Sequence, residues 1–174
     1  MKFHKIFLLL LSLSLVATPR IATAQPSEIE ILFQQGSAAQ EAGNYAEAEA
    51  IWRKLLQIEP DEVAAEVAAW NNLGLALAEQ GKWDEAVTSY RRAIELDPNF
   101  APAHSNLGNI LRQQGKLEEA ASHYRRAIEI EPTASRYGYL GEVLSELGDI
   151  EERSPTISVL LNLIRTCLTS TTIG

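Results

Sequence analysis

Apolar side chains recur in steps of three and four through residues 70–98. Trp70, Leu73, Gly74, Leu77 and Gly81 fall on one face of a helix, and Trp83, Ala86, Val87, Tyr90, Ala93 and Ile94 trace the face of a second. Gly81 stands where the first helix must turn, and glycine accepts the left-handed backbone that closes a helix. Asp97-Pro98 ends the second helix, because proline disfavours helix in the residue before it. Gly74 and Ala86 are small, which lets the two helices approach closely; larger side chains would overpack the contact. The pattern predicts a helical hairpin.

The hairpin recurs. Residues 70–98 return as residues 104–132 at an offset of 34, with Gly74, Gly81, Ala86, Tyr90 and Ala93 matched by Gly108, Gly115, Ala120, Tyr124 and Ala127. Leu107, Leu111, Leu117 and Ile128 complete the third unit. An earlier, less regular unit carries Leu32, Gly36, Gly43, Tyr45, Ala48, Trp52, Leu55 and Pro60. It precedes its successor by 38 residues. The four extra residues fall within Asp61 to Glu66 and are mostly helix formers, so the next helix is expected to begin early, near Glu62. A fourth unit opens with Tyr137, Leu140, Gly141, Leu144, Gly148 and Ile150, then stops at Arg153.

A repeat of this length and pattern resembles the tetratricopeptide repeat family. The resemblance covers residues 29–152 and implies an all-α solenoid of helical hairpins, three repeats plus a partial fourth. The units run at about 29–62, 67–100, 101–133 and 134–152, after a short linker at 25–28.

Residues 153–174 share nothing with the repeats. They hold two arginines and no acid in 22 residues, and Pro155 falls in the first turns of an expected helix. So abrupt a change marks a shifted reading frame. A message for EEAIAHYQRAIELDPN, an ordinary second helix, encodes EERSPTISVLLNLIRT once a single G is lost, and that is residues 151–166. On this reading the tail is aberrant and poorly ordered, and the intact gene encodes a longer solenoid or an exported enzyme of which this is the non-catalytic front. The competing reading is a capping helix over 156–168, whose Ile157, Val159, Leu160, Leu161, Leu163 and Ile164 cover the last hairpin. A variant of it has residues 134–168 dock on a second copy in a self-associating structural protein.

The other terminus reads as a secretory signal over residues 1–24. Lys2, His4 and Lys5 precede the apolar run Ile6 to Val16, and Ala22-Thr23-Ala24 supplies the small residues of a cleavage site. Eleven residues cover roughly 16 Å as a helix, about half the hydrocarbon core, so no stable membrane span is expected after cleavage. The expected location is periplasmic, lumenal or secreted. Losing the three bases of this segment leaves twelve against 23 acids, a net charge of −11 in place of −8. An acidic surface disfavours nucleic acid and anionic lipid and favours neutral or basic partners. The single cysteine, Cys167, forms no internal disulfide.

Candidate chemistry is sparse. His104 takes the place of Trp70 and is expected in the hairpin core, whereas His123 is expected in solvent. No two histidines have metal-ligand spacing. The glycines follow the repeat, not a phosphate-binding loop. Asp84-Glu85 and Glu118-Glu119 sit where carboxylates complement a helix dipole. Arg91-Arg92 and Arg125-Arg126 are flanked by Glu95, Asp97, Glu129 and Glu131, as on a solvated, salt-bridged face. No catalytic, cofactor or metal site is expected.

The resemblance implies instead a scaffold that binds a protein or peptide in a concave groove lined by the first helix of each hairpin. Carried over place by place, the groove positions are Ala68, Asn71, Leu75, Ala78 and Glu79 in the second unit and Pro102, Ser105, Asn109, Arg112 and Gln113 in the third. In the first they are Glu30, Phe33, Ser37, Gln40 and Glu41. Amides and small residues there can bond a peptide backbone, while Phe33 and Leu75 offer apolar contact. Members that grip a C-terminal carboxylate carry lysines along this groove. Asn71 and Ser105 stand at such places here and only Arg112 is basic, which argues against that mode.

Overall fold

The structure, a computed structural model, describes residues 27–58 and 62–148, together with Val159. The secretory signal, the tail of 153–174 apart from Val159, the two readings of that tail, and Pro60 lie outside the described residues. Among those described there are seven helices and no strand. They are α1 (Glu28–Glu41), α2 (Tyr45–Gln57), α3 (Val63–Glu79), α4 (Trp83–Leu96), α5 (Ala101–Gln113), α6 (Leu117–Ile130) and α7 (Ala134–Leu147). Each packs on the next in chain order, and α3 also meets α5, so first helices of successive hairpins stand side by side.

Local chemistry sets the ends. The Ser27 hydroxyl accepts from the Glu30 amide at 3.2 Å while the Glu30 carboxylate accepts from the Ser27 amide at 2.7 Å, a reciprocal cap that starts α1. This occupies Glu30, one of the positions considered for the groove. The early start of the second unit is present: α3 begins at Val63 behind Glu62 and runs for 17 residues. Pro102 sits in the first turn of α5, where no intrahelical donor is lost. Gly81 turns the second hairpin at φ 74°, in the left-handed region, and the equivalent glycines of the other units do the same.

Between the helices of each hairpin an aromatic ring lies on a glycine. Trp52, Tyr90 and Tyr124 are fully buried in α2, α4 and α6. A Cβ added at Gly36 or Gly74 would stand 2.6 Å from the Trp52 or Tyr90 ring, and one at Gly108 would stand 3.1 Å from Tyr124. The small residue is therefore required by the ring, a more specific reason than close approach of two backbones. Leu73, Leu77, Leu107, Leu111, Leu140 and Leu144 join these rings in one continuous core. Trp83 departs from the sequence pattern, being 41% exposed at the start of α4.

Hairpins are also tied by polar contacts. Glu49 of α2 is 6% exposed and accepts from Lys82 at 2.7 Å and Gln80 at 2.8 Å, and Arg53 pairs with it from the next turn. Burial works to raise the Glu49 pKa, but these donors outweigh it and hold the carboxyl below its usual value. On the outer face Arg92 pairs with Glu95 and Arg126 with Glu129, the salt-bridged surface expected of the arginine doublets.

Candidate functional site

The parallel run of α3 and α5 leaves a hollow of about 850 Å³. Leu75, Ala78 and Glu79 enter it from α3, and Asn109, Arg112 and Gln113 from α5. These residues recur at steps of three and four, so each set projects from one helix face. Gly81 of the α3–α4 turn, Trp83 and Tyr90 of α4, Asn106 and Ile110 of α5, and Glu146 of α7 complete the lining.

The other sequence-derived positions lie elsewhere. Asn71 is 8% exposed: it donates to Asn72 at 3.4 Å, and its side-chain oxygen accepts from Asn106 at 3.0 Å. Ser105, also 8% exposed, donates to the Ala101 carbonyl at 3.2 Å and accepts from Arg136 of α7 at 3.1 Å. Both side chains thus join one hairpin to the next. Phe33 packs edge-on to Trp52 at 5.1 Å between ring centres, and Ser37 is half-buried on the same helix. Gln40 accepts from the Trp52 indole at 2.8 Å.

Electrostatics concentrate at the α7 end. Arg112 donates to Glu146 at 2.8 Å and pairs with Glu142, so two carboxylates from the next first helix close on one guanidinium. Burial acts against its charge, but the two carboxylates outweigh that and raise the Arg112 pKa. Asn109 accepts from the Tyr124 hydroxyl at 2.5 Å, which satisfies the polar end of a buried ring. Glu79 and Gln113 are exposed, and Leu75 is half-buried.

Sequence reasoning missed Trp83 and Glu146 as wall residues. Trp83 falls on an apolar position of a second helix, which reads as core. Glu146 lies in the partial fourth unit, where no groove position was assigned.

His123 is corrected by the structure. It is half-buried, with its Nδ1 3.1 Å from Nδ1 of His104, and His104 Nε2 lies 3.2 Å from the Pro98 carbonyl. If that carbonyl receives the Nε2 proton, His104 Nδ1 accepts from His123 Nδ1. The two rings occupy facing places that hold Trp70 and Ser89 in the second hairpin, so the substitutions form a pair. Burial lowers both pKa values, aided by Arg126 beside His104 and by His104 and Arg91 beside His123. Among the described residues no group of three or more His, Cys, Asp or Glu is placed to hold a metal ion. No described helix is long and apolar enough to cross a membrane.

Comparison with known proteins matches this architecture. The family model described as "Tetratricopeptide repeat" matches residues 33–99 and 71–135, more than half of the chain. The "TPR repeat-containing thioredoxin TTL4" of Arabidopsis thaliana is 34% identical over 83 residues, which are 48% of this chain and 12% of that protein. The chain therefore spans only a small part of that curated relative. Among solved structures, the crystal structure of MamA superposes with a TM-score of 0.74 at 22% identity, covering 84% of each chain. YrrB, described as a TPR protein with an unusual peptide-binding site, superposes with a TM-score of 0.64 at 20% identity over 78% of this chain and 69% of that one. These two likenesses concern the fold. The chain belongs to the tetratricopeptide repeat family.

Proposed function

We propose that the protein is a scaffold that holds an extended segment of a partner protein in the hollow between α3 and α5. The observation that carries this is the convergence of Leu75, Glu79, Asn109, Arg112 and Gln113 on one hollow of about 850 Å³. Its walls mix an apolar contact with amides and charges, the composition that grips a peptide by backbone and side chain together. YrrB's described peptide-binding site shows that a related fold can serve such a role. The test is a double variant, Leu75→Ala with Gln113→Ala. Neither side chain makes a hydrogen bond that secures the described fold, so helix content should stay unchanged while capture of the native partner falls. Unchanged capture would place the binding surface elsewhere.

The scaffold works, on this reading, outside the cytoplasm. Lys2 and Lys5, the apolar run from Ile6 and the Ala22-Thr23-Ala24 site support export. Mass spectrometry of the protein from its host should find Gln25 as the first residue; a retained Met1 would contradict it.

A further inference from the structure

The chemistry of the hollow selects its partner. Within it and at its α7 end stand Glu79, Glu142 and Glu146, with Arg112 the one base among them. Three carboxylates against one guanidinium leave a local charge of −2. The guanidinium is already engaged by Glu142 and Glu146, so an incoming carboxylate would have to displace both while facing their charge. An incoming cation meets the reverse: carboxylates with unused acceptor capacity and the Trp83 indole, 41% exposed on the wall of the same hollow. A lysine or arginine head against an indole face gains the attraction of a cation for an aromatic quadrupole. Asn106 and Asn109 also line the hollow, from α5.

We propose that the hollow between α3 and α5 takes a lysine- or arginine-bearing segment of an extended peptide, its cationic side chain lodged against Trp83 and the carboxylates of Glu79 and Glu146. This rests on the groove reading above and adds to it the charge of the partner.

The probe is a phage-displayed library of randomised peptides about ten residues long, the span of an extended groove ligand. It is panned on the whole chain, on the double variant Glu79→Gln with Glu146→Gln, and on Trp83→Ala. In the double variant Arg112 keeps Glu142, so helix content and melting should hold. Peptides recovered on the native chain should be enriched in lysine and arginine. Affinity of a recovered peptide should fall about tenfold on the double variant, the scale of two lost partly exposed charge contacts. It should fall about two- to fivefold on Trp83→Ala, the scale of one exposed cation–aromatic contact. Selection of acidic or neutral peptides overturns the proposal, as does failure to select any. Basic enrichment that survives undiminished on both variants overturns it too, since that is general attraction to an acidic chain. Should neutral peptides be selected and then be lost on Leu75→Ala with Gln113→Ala, the groove stands and only its charge preference falls.

Discussion

At the scale of single residues, the glycine under each aromatic ring decides how much a methyl group costs. Replacing glycine by alanine inside a helix gains about 1 kcal/mol in propensity. At Gly74 the new Cβ would meet the Tyr90 ring at 2.6 Å, closer than real Cβ contacts come, so the ring itself would have to shift. Overpacking of this kind costs about 1–3 kcal/mol and outweighs the gain. At Gly108 the nearest ring atoms are 3.1 Å away, a contact a small shift can relieve. Urea denaturation should therefore find Gly74→Ala destabilised and Gly108→Ala near neutral. The opposite order would show that the rings do not set the hairpin spacing. The histidine pair gives a second residue-scale prediction. Both pKa values are lowered in the folded state, so the unfolded chain binds protons more readily below its ordinary pKa of about 6.5. Stability from this pair is fully present above that pH and is lost as pH falls through and below it. His104→Trp with His123→Ser installs the residues of the second hairpin and should flatten thermal stability between about pH 7 and pH 5. An unchanged slope would assign the dependence to other groups.

At the scale of elements, the helices were legible because the repeat writes its apolar face twice almost unchanged. The early start of α3 was legible too, since the four extra residues favour helix. What could not be read was which polar groups a neighbouring hairpin would consume. The family resemblance assigns Asn71 and Ser105 to the groove, but their partners Asn106 and Arg136 come from the next hairpin and follow from packing alone. Trp83 was misplaced for a related reason: its spacing matches the core stripe, yet it opens α4 at a turn, where the chain leaves the side chain uncovered. The Glu49 cluster is another product of stacking, linking α2 to the α3–α4 turn through Gln80 and Lys82. Glu49→Gln keeps the shape and removes the charge that both donors share. It should cost about 1–3 kcal/mol, the range for a part-buried charge-assisted bond. Hydrogen exchange should show the loss in α1 and α2 first, and protection that falls evenly along the chain would contradict a role for this cluster in tying the first hairpin to the second.

At the scale of the whole molecule, stacked hairpins make stability and recognition properties of neighbours. The hollow needs α3, α4, α5 and α7 together, and each supplies a different part: Leu75 and Glu79, Trp83, the amides with Arg112, and Glu146. That assembly is why a partial fourth unit matters, since its α7 closes one end of the hollow and fixes Arg112. Peptides of 153–174 in intact protein from the host would make that tail part of the working chain, whereas peptides reading AIAHYQRAIELDP after Glu152 would mark a shifted frame. The most direct test of the scaffold reading is photo-cross-linking from single positions. A benzoylphenylalanine placed at Leu75 or Gln113 reports on the hollow, and one at Glu129 reports on the exposed outer face of α6. The account predicts one protein partner cross-linked from positions 75 and 113 and none from 129. A partner cross-linked from 129 and from neither of the others would contradict it.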